Sequence, residues 1–189
     1  MKKRILSILV ICCMVLGLLP MTTFANNGGA KAIQLGTSGI SGYDSTNSSY
    51  DYIYFGAWNS SPVKWRVLDT KTNMPNAQEG DGFFLLSDAL LGTGEFGGVE
   101  FDYTTPYFND WKGSRAQDWC NDFYSRSLSI TEQKAVLATS KSDALYGMYY
   151  DASDNILDGD KVFFLSAEEA ENAAYGFTDD NARIANYGD

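Results

Sequence analysis

Two short apolar runs, each ending in Leu-Ser, constrain this chain more than any other feature: GFFLLS at 82–87 and KVFFLS at 161–166. Neither alternates apolar with polar residues, so neither suits a half-buried surface strand. Four or five consecutive apolar residues fit a strand covered on both faces. Each run is followed by what reads as a helix start. Ser87 suits an N-cap and Asp88 the positive end of a helix. Ser166-Ala167-Glu168-Glu169 is S-x-x-E, a capping box in which the serine bonds forward and the glutamate back. The expectation is therefore scaffolding, an inner strand handing over to a capped helix at both places. A catalytic role for the Glu168–Glu169 pair is the alternative, but adjacent helical residues point in different directions.

The remaining patterns complete an α+β outline, with an antiparallel or mixed sheet and two or three short helices. YIYF at 52–55 alternates, with Tyr52 and Tyr54 on one face and Ile53 and Phe55 on the other, and Gly56 ends it. VKWRVL at 63–68 sets Val63, Trp65 and Val67 against Lys64, Arg66 and Leu68. AWNSSP between them reads as a turn, which predicts an antiparallel hairpin. Residues 114–124 carry Ala116, Trp119, Cys120 and Phe123 on one helical stripe. Ser129-Ile130-Thr131-Glu132 is a second capping box, opening a helix expected to reach about Thr139. Residues 141–160 read as polar loop. Residues 92–113 form a longer loop, of a length often tied to function.

The N-terminus has a separate logic. Lys2, Lys3 and Arg4 precede an apolar stretch over 5–19, and Thr23-Phe24-Ala25 resembles a small-x-small cleavage site. Residues 1–25 read as a secretory signal peptide. A membrane anchor is the alternative, although the stretch is short for a span of about 20 residues. Residues 26–49, rich in Gly, Ser, Thr and Asn, read as a flexible leader or weak first strand, and 50–189 as one domain. Cleavage would leave 11 cations against 24 carboxylates, a net charge near −13. That balance disfavours phosphate backbones, so nucleic acid is not an expected partner. After cleavage no membrane association is expected, and the chain is placed outside the cell or at its surface.

Composition then narrows the chemistry. The chain has no histidine, which excludes Ser-His-Asp and Cys-His nucleophile systems and histidine zinc sites. Two of the three cysteines lie in the signal segment. Cys120 remains, too few for an internal disulfide, and its place on the apolar stripe marks it as core. Aromatic residues are abundant: 4 Trp, 12 Tyr and 11 Phe. Tyrosine offers a flat apolar face and a polar tip, which suits sugar recognition. Tyr103, Tyr107, Phe108 and Trp111 gather in one loop, and Tyr146, Tyr149 and Tyr150 in another. Tyr103, Tyr107, Tyr146, Tyr149 and Tyr150 are the candidate ligand-binding residues; packing as core or loop cover is their bland alternative. Asp151, Asp154, Asn155, Asp158 and Asp160 suggest a calcium loop, but Ile156 stands where a ligand is required. No metal or cofactor is expected. Glu95, Glu100, Asp102 and Asp110 offer carboxylates for glycoside hydrolysis, but no spacing selects a pair.

The order YIYFG, VKWRVLD, FLLSDALL, Trp111-x7-Trp119-x-Asn121-x-Phe123-Tyr124, S-x-x-E and DKVFFLSAEEA resembles an uncharacterised domain family of secreted and surface proteins of Gram-positive bacteria. The match runs over about 50–183, and it implies a scaffold role for Trp111. The resemblance implies a relation to C-type-lectin-like and formylglycine-generating-enzyme-like folds. Arg115 and Gln117 depart from its usual Ser and Arg, and Cys120 from its usual Leu. The resemblance also implies a C-terminal part that this sequence lacks. Formylglycine-generating chemistry needs reactive cysteines, against which Cys120 argues. The combined expectation is a non-catalytic binding or display module for a glycan or a surface protein. A carboxylate-dependent enzyme acting on carbohydrate is the alternative.

Overall fold

A computed structural model describes residues 13–17, 40–70, 82–92, 111–142 and 156–184. Its centre is a five-stranded sheet of β1 (Cys13–Gly17), β2 (Tyr52–Trp58), β3 (Ser61–Asp69), β4 (Gly82–Ser87) and β7 (Val162–Phe163), ordered β2-β3-β4-β1-β7. Every neighbouring pair is antiparallel. A second ribbon pairs β5 (Thr139–Ser142) with β6 (Ile156–Asp160). Helices α1 (Arg115–Ser127), α2 (Ile130–Ala135) and α3 (Ala167–Ala170) complete the described α+β chain, with a 3-10 turn at Ala173–Tyr175.

The β2–β3 hairpin follows its sequence pattern. Ile53, Phe55, Val63, Trp65 and Val67 enter the core, while Tyr52 and Tyr54 stay exposed. Trp58 pairs with Ser61, so Asn59 and Ser60 alone make the turn. Both take positive φ, 49° and 66°, as a type I′ turn requires. β2 does not end at Gly56. The register slips between Tyr54 and Ala57, and Gly56 sits in the slip at φ 70°. A Cβ there would lie 2.5 Å from Leu128 Cδ2, so glycine is needed for space as well as conformation.

β4 is buried along its whole length. Phe83 and Leu85 join the cluster under the helices, while Phe84 and Leu86 join a second cluster on the opposite face. A strand buried on both faces needs no alternation, and the apolar run at 83–86 is read correctly. α1 supplies the first cover. Ser114 caps it by accepting from Gln117 N at 3.1 Å, and Ala116, Cys120 and Phe123 face the sheet. Phe123 meets Trp58, Trp65 and Trp119 at centroid separations of 5.4, 6.1 and 5.6 Å. Cys120 is fully buried among them, as expected for a core residue. The second face is closed by Leu157, Phe163, Phe177 and Tyr175.

Four further readings need correction. No helix starts at Ser87 or in the described residues up to 92: β4 includes Ser87, and its buried hydroxyl finds no hydrogen-bond partner among the described residues. The backbone there continues pairing, with Asp88 N donating to Lys64 O at 2.9 Å, so sheet wins over helix. α2 stops at Ala135 rather than near Thr139, because Val136 turns extended and Thr139 opens β5. Part of the expected 141–160 loop is strand, since Lys141 pairs with Leu157 and Ser142 with Ile156. Order also begins before residue 50: Tyr43 N donates to Leu68 O at 3.4 Å, and Ile40 packs on the helix-side core. The second Leu-Ser junction is as expected only in its cap: β7 is the end strand of the sheet and stops at Phe163, so Phe164 and Leu165 lie outside it and are half-buried. Ser166 and Glu169 form a full capping box at the start of α3.

The sheet also includes part of the segment expected to be a signal peptide. Met14, Val15 and Leu16 lie opposite Leu85, Phe84 and Phe83, and Cys13 lies opposite both Leu86 and Phe163.

Candidate functional site

The sheet face opposite α1 changes character toward the β2 edge. Near β7 it is aromatic and closed. Near β2 it opens to solvent and becomes mixed aromatic and charged. Strand alternation causes this: Tyr52 lies opposite Arg66 and Tyr54 opposite Lys64, so all four share the face that Ile53 and Trp65 avoid. Tyr52 is 42% exposed and Tyr54 54%.

Asp88 ties the face together. It lies one residue beyond β4, where pairing with β3 brings it beside Lys64. One carboxylate oxygen accepts from Arg66 Nε at 2.7 Å and the other pairs with Lys64 Nζ at 3.0 Å. Arg66 also donates to the Asp88 carbonyl at 3.4 Å. The two cations lean on rings: Lys64 Nζ is 3.7 Å from the Tyr52 centroid and Arg66 Cζ 5.3 Å from that of Tyr50. Tyr50 is fixed in turn, donating from its hydroxyl to Tyr175 O at 2.8 Å and lying 5.0 Å from Tyr43.

Burial pushes the Asp88 carboxyl up, but hydrogen bonds from Arg66 and Lys64, with their charges, outweigh it and hold the group below its ordinary value. Burial pushes Lys64 down, and its bond to Asp88 and that group's charge more than reverse this. Burial raises the Tyr50 phenol despite the nearby Arg66 charge. Asp88 is thus a locked, ionised anchor, which is the wrong protonation state for a general acid. The face presents exposed aromatic rings, phenol hydroxyls and an ammonium beside the Lys64–Asp88–Arg66 network. Such a surface can bind a polar ligand that also offers apolar patches.

Tyr103, Tyr107, Tyr146, Tyr149 and Tyr150 lie outside the described residues, as do Phe108, Glu95, Glu100, Asp102, Asp110, Asp151, Asp154 and Asn155. Trp111 is described and packs on Phe164, with centroids 5.6 Å apart. Its carbonyl accepts from Ser114 N at 3.0 Å, so it serves the α1 entrance. Asp160 is buried and accepts from Gln117 Nε2 at 2.8 Å and Asp158 N at 2.9 Å. Asp158 is exposed. Among the described residues no three His, Cys, Asp or Glu side chains gather in a way that could hold a metal ion. Glu168 and Glu169 diverge: Glu168 is exposed, while Glu169 is buried against Lys141 as a salt bridge.

The Lys64–Asp88–Arg66 network is absent from the sequence-based expectation. Half of its signal was legible, since alternation alone puts Lys64 and Arg66 beside Tyr52 and Tyr54. The other half depends on β3–β4 pairing, which no local pattern encodes.

No helix among the described residues is long and apolar enough to cross a membrane. No family model matches the sequence, and neither the curated proteins nor the solved structures contain a match.

Proposed function

We propose that this chain is an exported, non-catalytic binding module, and that the exposed β2–β3 face carries part of its ligand contact. The observation behind the proposal is the pairing of Tyr52 and Tyr54, both solvent-exposed, with the fixed Lys64–Asp88–Arg66 network on the same face. Rings stack on the apolar faces of sugars while ammonium and phenol groups bond to hydroxyls, so a glycan is the preferred ligand. A partner protein at the cell surface fits the same chemistry less specifically. The order of motifs that resembles the Gram-positive surface-domain family supports this reading, and a C-type-lectin-like arrangement is part of the proposal. Export rests on the basic, apolar and small-residue sequence of residues 1–25.

The test is glycan-array binding with purified protein. Tyr52→Ala and Tyr54→Ala should each weaken binding about two- to tenfold, the worth of one aromatic contact. Both variants should keep the parent melting temperature within a few degrees, because the rings are exposed. Binding that survives the double variant but is lost on Tyr107→Ala or Tyr149→Ala would move the site to those tyrosines. Carbohydrate turnover abolished by one Asp or Glu substitution would replace the proposal with a hydrolase.

A further inference from the structure

The place of β1 in the sheet has a consequence beyond folding. β1 runs antiparallel to both β4 and β7, so those two strands run parallel to each other, one strand width apart on either side. Two inter-strand spacings make a gap of about 9.6 Å. β1 takes five register positions against β4 and two against β7. Without it, both strands become free edges. For β4 this is severe: a fully buried strand, apolar from Phe83 to Leu86, has none of the charges or prolines that protect natural edges.

The walls of this gap are built for a strand. Val162 of β7 shares the helix-side cluster with Phe83 and Leu85 of β4. On the other face Phe84 of β4 stacks on Phe163 of β7, with an interplanar angle of 18° and centroids 6.3 Å apart. Lys141 Nζ lies 4.8 Å from the Phe163 ring and 5.8 Å from Phe84, its charge matched by Glu169. Side chains from the two flanking strands thus meet on one face and share one apolar cluster on the other. An occupant must be extended and carry no charge at the enclosed positions. Its affinity would come from backbone pairing on two sides, and its selectivity from the apolar walls.

The strand that fills the gap belongs to residues 1–25, the segment expected to be removed on export. We propose that β4 and β7 frame a strand-accepting slot, and that Cys13–Gly17 holds it as a stand-in for an extended apolar segment of a partner polypeptide. While the leader is attached the sheet is closed. Cutting the leader converts this internal strand into an exchangeable one. This slot is distinct from the β2–β3 face and does not depend on it.

The experiment uses the full chain with a protease recognition sequence inserted between Ala25 and Asn26, cut after folding. The probe is a labelled synthetic peptide carrying residues 13–17, with Cys13 replaced by Ser and lysines outside the strand for solubility. The cut protein should bind the probe at least tenfold more tightly than the uncut protein. Hydrogen exchange at the β4 and β7 amides should slow again as the probe binds. A probe with Val15→Pro should not bind, because proline lacks the ladder donor. Full-length Val15→Pro supplies an independent arm: its own strand cannot pair, so it should take up the probe without cutting and recover thermal stability. Equal uptake by cut and uncut chains, equal uptake of the proline probe, self-association of the cut chain in place of uptake, or no uptake by either the cut or the Val15→Pro protein each overturns the proposal.

Discussion

Asp88 shows how much one side chain can decide. Its carboxylate meets two cations in a site where all three groups are partly or largely withdrawn from water. Asp88→Asn would leave Arg66 buried without its counter-charge, at a cost of about 3 kcal/mol at neutral pH. The pH dependence follows from the direction of the shift. The folded value lies below the ordinary 3.8, so the unfolded chain binds the proton first. The stabilisation is complete above about pH 4 and is lost as pH falls through the folded value. Thermal melts should show the parent losing stability in that acid range, with Asp88→Asn losing less, so that the gap between them narrows. A gap that stays constant from pH 6 to pH 2 would remove Asp88 as the cause. The sequence makes Asp88 look like a helix-start residue. What it does not reveal is the partner strand, because Lys64 and Arg66 lie more than 20 positions earlier.

At the level of elements, the legible parts are those whose signal is local. The β2–β3 hairpin, α1 and both capping boxes are specified by residues within a turn or two of each other. Cys120 could be assigned to packing for the same reason, whereas the assignment of Trp111 came from the family resemblance. β5, β6 and β1 were hidden for the opposite reason. β5 and β6 have short polar sequences, TSKS and ILDGD, whose strand character comes from pairing across a gap in the sequence. Helix α2 combines both kinds of information. Glu132 closes its own capping box by accepting from Ser129 N at 2.7 Å, and its other oxygen accepts from Gly56 N in the β2 slip at 3.0 Å. One carboxylate therefore fixes the helix start and docks it to the sheet. Glu132→Ala should cost about 2 kcal/mol, more than a cap alone, since it also strands a part-buried backbone N–H. Ser129→Ala, which breaks only the cap, should cost about 1 kcal/mol. Denaturant titrations of the two variants distinguish these outcomes, and equal losses would show that the Gly56 contact contributes nothing.

Taken whole, the chain arranges two unlike surfaces on one sheet, a helix-covered side and a side that grades from closed aromatic packing to an open charged edge. The candidate ligand face was half visible beforehand because alternation is a short-range rule. Tyr103, Tyr107, Tyr146, Tyr149 and Tyr150 lie outside the described residues. The corner where the β5–β6 ribbon meets α3 adds a practical handle. Lys141 has an 18% exposed side chain that points across two rings to a buried carboxylate. Amine-reactive reagents should therefore modify Lys64, with a 39% exposed side chain, well before Lys141. A mass spectrum taken during gentle warming would then time-stamp the loosening of that corner, with the lysine acting as a fuse that acylates only once its shelter has come apart.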